Sequence, residues 1–417
     1  MYKEISRCRV CGNKNLQTIL SLGKQCLTGV FPKTKNQHVT SGPLDLVKCD
    51  ESQSDSCGQV QLKQSYDVNE MYGSNYGYRS GLNASMVRHL YNKVKIIQEI
   101  VALKRGDLVI DIGSNDGTLL SAYPEYLDLI GIDPTISHFA KYYPNHIQRI
   151  PDFFSSNLVQ ERFEGRKAKV VTSIAMFYDL ESPMDFVRQV TEILDNDGVW
   201  AFEQSYLPTM LNMNAYDTIC HEHLEYYGLR QIKWMIERSG LKFVKVELNQ
   251  INGGSFSVMV AKSSSRYPED RDTVNKLLDS EKSLGNIKTY EAFANRVYKH
   301  REELLHFFKQ TAKEGKKIVG YGASTKGNVV LQFCGLTPDQ LPCIGEVNEE
   351  KFGSFTPGTL IPIVSEQDAK SMKPDYLLVL PWHFKDFLVE KEKNFLMSGG
   401  KLVFGLPELC IVGSTQR

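Results

Sequence analysis

The densest concentration of reactive side chains in this 417-residue chain is YDTICHEHLEYYG, Tyr216–Gly228, where His221, Glu222, His223, Glu225, Tyr226 and Tyr227 crowd into seven positions. The spacing is not the HExxH of a zinc hydrolase, because histidines two apart cannot serve one metal from a single helical face. Imidazole titrates near neutrality and suits proton transfer. We read His223 as a general base, with His221 as a second titrating group and Glu222 fixing the base's tautomer and supporting its imidazolium. Tyrosine hydroxyls stabilise a developing enolate oxygen, and Tyr76 and Tyr78 of YGYRSG are candidates, with Tyr227 at the substrate. A lone histidine is more often a satisfied structural side chain; here the cluster follows a cofactor-type sheet, where ligands bind.

A second group lies in LVIDIGSNDGTLL, Leu108–Leu120, an apolar strand running through Gly113, Asn115, Asp116 and Gly117 towards a helical stretch. Asp111 closes that strand and Asp133 ends the next, LIGID, placed to accept ribose hydroxyls. A dinucleotide would need a third small residue where Thr118 and Leu119 stand, and Asp116 would repel a pyrophosphate at a helix start. S-adenosylmethionine carries a sulfonium and no phosphate, so an acidic loop suits it. A plain packing turn and an NAD site are the competing readings. Methylating carbon with such a donor requires a carbanion or enolate, the service His223 would provide.

Cys8, Cys11, Cys49 and Cys57 supply four thiolates, the number that closes a tetrahedral zinc shell. The CxxC pair is tight and the second pair looser, with seven residues between. A filled shell is structural, not catalytic.

Several elements must position these groups. Residues 1–65 are turn-rich, with short strands expected at Leu16–Leu22 and Gln59–Leu62, and such a module has little core of its own. MVRHLYNKVKIIQEIVAL repeats apolar residues at three- and four-residue steps and predicts a lead-in helix ending near Ile100. Leu108–Ile112, Leu129–Ile132, Val170–Ile174 and Val199–Glu203 alternate with helical stretches, which predicts a mostly parallel sheet. After a polar helical connector over about Arg271–Glu314, the alternation resumes at Ile318–Tyr321, Leu341–Val347, Tyr376–Leu380 and Lys401–Phe404. The expected fold is α/β in three parts: a zinc module over 1–70, a class I (Rossmann-like) methyltransferase domain over 71–267, and a second Rossmann-like domain with its connector over 268–417.

Lysine plus arginine equals aspartate plus glutamate at 49 each, which argues against a nucleic-acid partner and for a small-molecule substrate. The amino-terminal stretch lacks a signal-peptide pattern and no segment reaches the ~20 apolar residues of a membrane span. A cytoplasmic protein with no membrane partner is expected, and its nine cysteines then read as metal ligands and thiols rather than disulfides.

Taken together, CRVCG with SCGQVQL, YGYRSG, DIGSNDGTLL, YDTICHEHLEYY, GGSFSV at Gly253–Val258 and GYGASTKGN at Gly320–Asn328 resemble the sugar carbon-methyltransferases that act on nucleotide-linked 4-keto deoxysugars. The resemblance covers essentially the whole length. It implies that His223 removes the proton next to the ketone, aided by Glu222 and Tyr76 or Tyr78. It also implies that the last domain holds the nucleotide, with Ser324 and Lys326 on the diphosphate and TPGT (Thr356–Thr359) and PWHF (Pro381–Phe384) lining the cleft. Many members carry Tyr before HEH where this chain has Cys220, and a tighter second CxxC pair. O- or N-methylation of another small metabolite, a zinc scaffold that senses S-adenosylmethionine, and an NAD-dependent sugar enzyme are the alternative readings.

Overall fold

The computed structural model describes residues 2–52, 55–71 and 78–413. Its first sheet is antiparallel and built from β2 (Leu16–Cys26), β3 (Ser41–Cys49), β4 (Val60–Leu62) and, from far along the chain, β11 (Glu225–Tyr226). A two-strand ladder of β1 (Lys3–Glu4) and β5 (Gln64–Ser65) flanks it. Leu20 and Leu22, two apart on β2, share a buried face with Leu44 and Leu46 of β3 and Val60 and Leu62 of β4. The period of two is what a half-buried strand requires. Strand β3 is absent from the sequence reading, because Pro43 and three polar residues interrupt its apolar pattern.

The second sheet contains β6 (Leu108–Ile112), β7 (Asp128–Ile132), β8 (Gln148–Ile150), β9 (Ala168–Ile174), β10 (Leu194–Ser205), β12 (Leu241–Asn249) and β13 (Ser255–Lys262), in spatial order β12-β13-β10-β9-β6-β7-β8. Strand β13 runs antiparallel to both of its neighbours, β10 and β12. The central strands are nearly continuous apolar runs because both faces are covered. One face packs on a core that includes Phe177, Val187 and Ile232. The other meets the predicted lead-in helix, Ala84–Ile100, through Leu90, Val94 and Ile97. Strand order reverses between β6 and β9, and ligands bind in the crevice beyond the carboxyl ends at such a point.

The third sheet is formed by β14 (Ile318–Tyr321), β15 (Ile344–Glu346), β16 (Ile363–Ser365), β17 (Tyr376–Val379), β18 (Lys401–Phe404) and β19 (Cys410–Val412), ordered β16-β15-β14-β17-β18-β19. Only the last pairing is antiparallel. The connector resolves into two helices, Arg271–Ser280 and Ile287–Lys313. Tyr290, Phe293, Val297, Leu304 and Phe308 of the longer helix join one apolar core with Leu20 and Leu46 of the first sheet and Val319 and Leu378 of the last. The small amino-terminal module therefore obtains its core by sharing that of the carboxy-terminal domain. Among the described residues no helix is long and apolar enough to cross a membrane.

Candidate active site and metal centre

The four sulfurs of Cys8, Cys11, Cys49 and Cys57 lie within 4.8 Å of one another. The Cys8–Cys57 and Cys11–Cys49 separations are each 3.5 Å. A tetrahedron with zinc–sulfur bonds of ~2.3 Å has sulfur–sulfur edges of roughly 3.8 Å, so the set fits the ion. Two amides point at the cluster: Gln61 Nε2 donates to Cys8 Sγ at 3.1 Å and Asn13 Nδ2 to Cys49 Sγ at 3.4 Å. Such donors support thiolate charge from outside the ligand shell. Gly12 and Gly58, each directly after a ligand, adopt φ of 75° and 68°, the left-handed backbone a knuckle turn needs.

A cavity of about 580 Å³ opens at the carboxyl ends of the second sheet. Asp111, Gly113, Asn115, Asp133, Tyr78, Glu222, His223 and Lys326 all lie on its wall. Gly113 has φ 74°, and a β-carbon there would sit 2.9 Å from Met176 Cγ, so the loop passes too close for a side chain. Asp133 accepts from the Asn115 amide at 2.9 Å and from Thr135 N and Oγ1 at 2.7 and 2.6 Å, which fixes it at the rim of β7 with lone pairs remaining. Asp111 is buried and accepts from Thr172 Oγ1 at 2.6 Å. Burial pushes its carboxyl up to about 7, with the Thr172 hydrogen bond opposing and the nearby Asp133 charge adding a smaller push. Among the described residues seven Asp and Glu side chains line the cavity against one lysine, a wall that suits a sulfonium cation.

The HEH segment reaches this cavity from a turn closed by the His223 amide on the Cys220 carbonyl at 3.2 Å. Strand β11, directly after it, is stitched to β4 in the zinc module, with Glu225 opposite Gln61 and Tyr226 opposite Val60. His223 Nδ1 donates to the Thr218 carbonyl at 2.9 Å. A carbonyl can only accept, so the proton sits on Nδ1 and the Nε2 lone pair remains available. The ring packs edge-on to Tyr178, 4.4 Å between centroids. Burial, reinforced by the Lys326 ammonium, lowers the imidazole to about 4, so it is neutral at ordinary pH.

Several expected roles are corrected. The tautomer of His223 is set by the Thr218 carbonyl and not by Glu222, whose carboxylate instead meets Thr28 Oγ1 at 3.5 Å. Burial raises the Glu222 carboxyl above its ordinary range. His221 turns away from the cavity, fully buried, with Nε2 on the Gln25 carbonyl at 3.3 Å and its ring edge-on to Tyr66. Tyr227 is also off the wall, stacked on Phe177 at 5.2 Å. Asp116 and Gly117 are not on the wall either: Asp116 Oδ2 accepts the Gly81 amide at 2.9 Å and so anchors the segment carrying Tyr78. Ser324 caps the Thr325–Cys334 helix by accepting from Gly327 N, while Thr325 and Lys326 face the cavity. Thr356–Thr359 and Pro381–Phe384 do not line it, and Trp382 Nε1 instead donates to Asp217 Oδ2 at 2.8 Å. Tyr76 lies outside the described residues.

Tyr178, Asp179, Phe153, Phe154, Glu203 and Gln204 also stand on the cavity wall, and no motif in the sequence marks them. The rule that ligands sit beyond strand carboxyl ends points to them once β8, β9 and β10 are placed. Strand β8 is only three residues long and mostly exposed, so its apolar signal is faint.

Family comparisons match this organisation in order: a zinc binding domain over residues 8–72, a methyltransferase domain over 86–246 and a C-methyltransferase C-terminal domain over 250–407. These domains make the chain an S-adenosylmethionine-dependent methyltransferase whose last domain matches that of C-methyltransferases. It is 29% identical to C-methyltransferase NovU of Streptomyces niveus over 99% of this chain and 98% of that protein. Among solved structures it is similar to an O-methyltransferase family protein from Burkholderia thailandensis, at 18% identity over 46% of this chain and 61% of that one, TM-score 0.34. It is also similar to the CcbJ methyltransferase from Streptomyces caelestis, at 10% identity over 42% and 89%, TM-score 0.33. The methyltransferase thus carries an S-adenosylmethionine domain and, in front of it, a four-cysteine zinc module.

Proposed function

We propose that this enzyme methylates a carbon of a nucleotide-linked keto-deoxysugar and that His223 is its base. The observation that carries the reading is the Nδ1–H hydrogen bond from His223 to the Thr218 carbonyl, which leaves Nε2 basic on the wall of the cofactor cavity. Bound S-adenosylmethionine supplies an electrophilic methyl group on its sulfonium. His223 Nε2 takes the proton from the carbon beside the ketone, and the C–H electron pair moves onto the carbonyl oxygen as an enolate. Tyr78, on the same wall, is a donor for that oxygen, and Glu222 adds an acid to the wall that holds the imidazolium. Lys326, the one lysine on the wall among the described residues and hydrogen-bonded to the Asn252 carbonyl at 3.2 Å, is the counter-charge for a diphosphate. Asp133 and Asp111 are the acids for the ribose and amino groups of the donor.

The test incubates wild type and His223→Ala with methyl-labelled S-adenosylmethionine and a panel of nucleotide 4-keto-6-deoxysugars, following product by mass and carbon NMR. Label on a sugar carbon, reduced at least ~10²-fold in the variant, is the expected result. Label on oxygen or nitrogen, or an unimpaired variant, would refute the reading.

A further inference from the structure

Gln204 holds a carboxamide where neither of its ends is satisfied. It is the penultimate residue of β10, opposite Phe256 of β13, and only 1% exposed. On the same face of that strand, Trp200 and Phe202 are packed into apolar core. Its neighbour Glu203, on the opposite face, is fully engaged by His89 at 2.6 Å, Lys93 at 2.7 Å and Asn249 at 2.8 Å. By contrast, no hydrogen bond among the described residues reaches Oε1 or Nε2 of Gln204. Yet the residue lines the cavity with His223 and the cofactor loop. A buried donor and acceptor left unmade are costly, so such a pair marks a place where a ligand completes the bonding.

The chemistry of that ligand follows from the side chain. A carboxamide sets N–H donors beside carbonyl lone pairs, so a ligand that engages both ends offers an acceptor and a donor on adjacent atoms. A phosphate offers acceptors only and an ammonium donors only, and each would leave one end of Gln204 orphaned. A ketone with a hydroxyl on the neighbouring carbon satisfies both. The position agrees: two residues past the end of β10 the Leu207 amide bonds the Tyr227 carbonyl at 2.9 Å, which ties this strand end to the segment carrying His223. Resting on the keto-sugar reading above, we propose that Gln204 is a substrate-binding, specificity-determining residue for a vicinal hydroxy-ketone. Its Nε2 donates to the ketone oxygen and its Oε1 accepts from the adjacent hydroxyl. The donor faces the oxygen on which charge develops, so it contributes to kcat as well as to binding.

The experiment uses the full chain as wild type, Gln204→Leu and Gln204→Glu. The probes are a nucleoside-diphosphate 4-keto-6-deoxyhexose bearing the 3-hydroxyl, its 3-deoxy counterpart, the nucleoside diphosphate alone and S-adenosylhomocysteine. Expected for Gln204→Leu are a loss of at least tenfold in kcat/KM on the hydroxy-ketone and a wild-type preference over the 3-deoxy compound that collapses towards one. Dissociation constants for the nucleoside diphosphate and S-adenosylhomocysteine should stay within twofold. Gln204→Glu keeps the size and an acceptor but loses the donor, and should fall in kcat; it serves as the test if the leucine variant does not fold. Wild-type kcat/KM and an intact 3-hydroxyl preference in the variants would overturn the proposal alone. A loss that falls equally on S-adenosylhomocysteine or on the nucleoside diphosphate would also overturn it, since Gln204 would then be reading a base edge. A wild type that accepts no keto-sugar would overturn the functional reading, and this inference with it.

Discussion

Replacing His221 by glutamine should remove one share of the protein's acid sensitivity, beside the shares of the buried His223 and His383, although its side chain is off the cavity wall. His221 is 0% exposed, its Nε2 bonds the Gln25 carbonyl, and burial lowers its imidazole to about 4 against an ordinary 6.5. The folded state holds it neutral while the unfolded chain takes up a proton below about 6.5. The lowered value thus gives stability that is complete above the unfolded pKa and is lost as pH falls towards the folded one. Integrating the two titrations gives a loss of about 2 kcal/mol by pH 5 and about 3 kcal/mol by pH 4 from this residue. Burial raises Asp111 to about 7 and Glu225 to about 8, and their stabilisation runs the other way, present at low pH and lost as pH rises through those values. Both effects cancel in the difference between wild type and His221→Gln, whose amide can still donate to Gln25. Urea unfolding of the two proteins at pH 7.5, 6, 5 and 4.5 should give stability curves that converge on acidification by that amount. Curves that stay parallel across the range would refute the assignment of His221 as a buried neutral donor.

Metal analysis should find about one zinc per chain, and Cys11→Ser should lose it together with part of the thermal stability, because the knuckle anchors the sheet that contains β11. Asp133→Ala should weaken S-adenosylhomocysteine binding tenfold or more by calorimetry, as charge-assisted hydrogen bonds of ~1.5–3 kcal/mol disappear. Glu203→Gln strands the Lys93 ammonium, whose side chain is 5% exposed, and should cost roughly 3–5 kcal/mol in denaturant, with faster amide exchange in the Ala84–Ile100 helix. With His223 lowered to about 4 in the free enzyme, kcat/KM for the sugar, measured with S-adenosylmethionine saturating so that Asp111 near 7 does not enter, should stay level as pH falls from 8 to 5.5, where an ordinary imidazole base would already have lost most of its activity.

What the sequence determined by itself is the inventory and its order. The CxxC pair with two later cysteines, the glycine loop between acids at 111 and 133, and the apolar runs of β6, β9, β14, β17 and β18 are local patterns. Local patterns are legible because covalent spacing fixes which groups can meet across one turn or one strand. The tertiary structure alone decided which way the HEH side chains face. His221 and His223 are two residues apart, but the turn between Cys220 and His223 and the pairing of β11 with β4 send one into the zinc module and the other into the cavity. That outcome depends on a partner strand some 160 residues earlier, which periodicity cannot register. The same holds for the shared core of the first and last domains, and for Gln204, an unremarkable residue in the sequence whose burial without a partner exists only once its strand is packed in the sheet. Burial and long-range hydrogen bonding are properties of the assembled chain, and they, more than residue type, separated the side chains on the cavity wall from those that hold the wall in place.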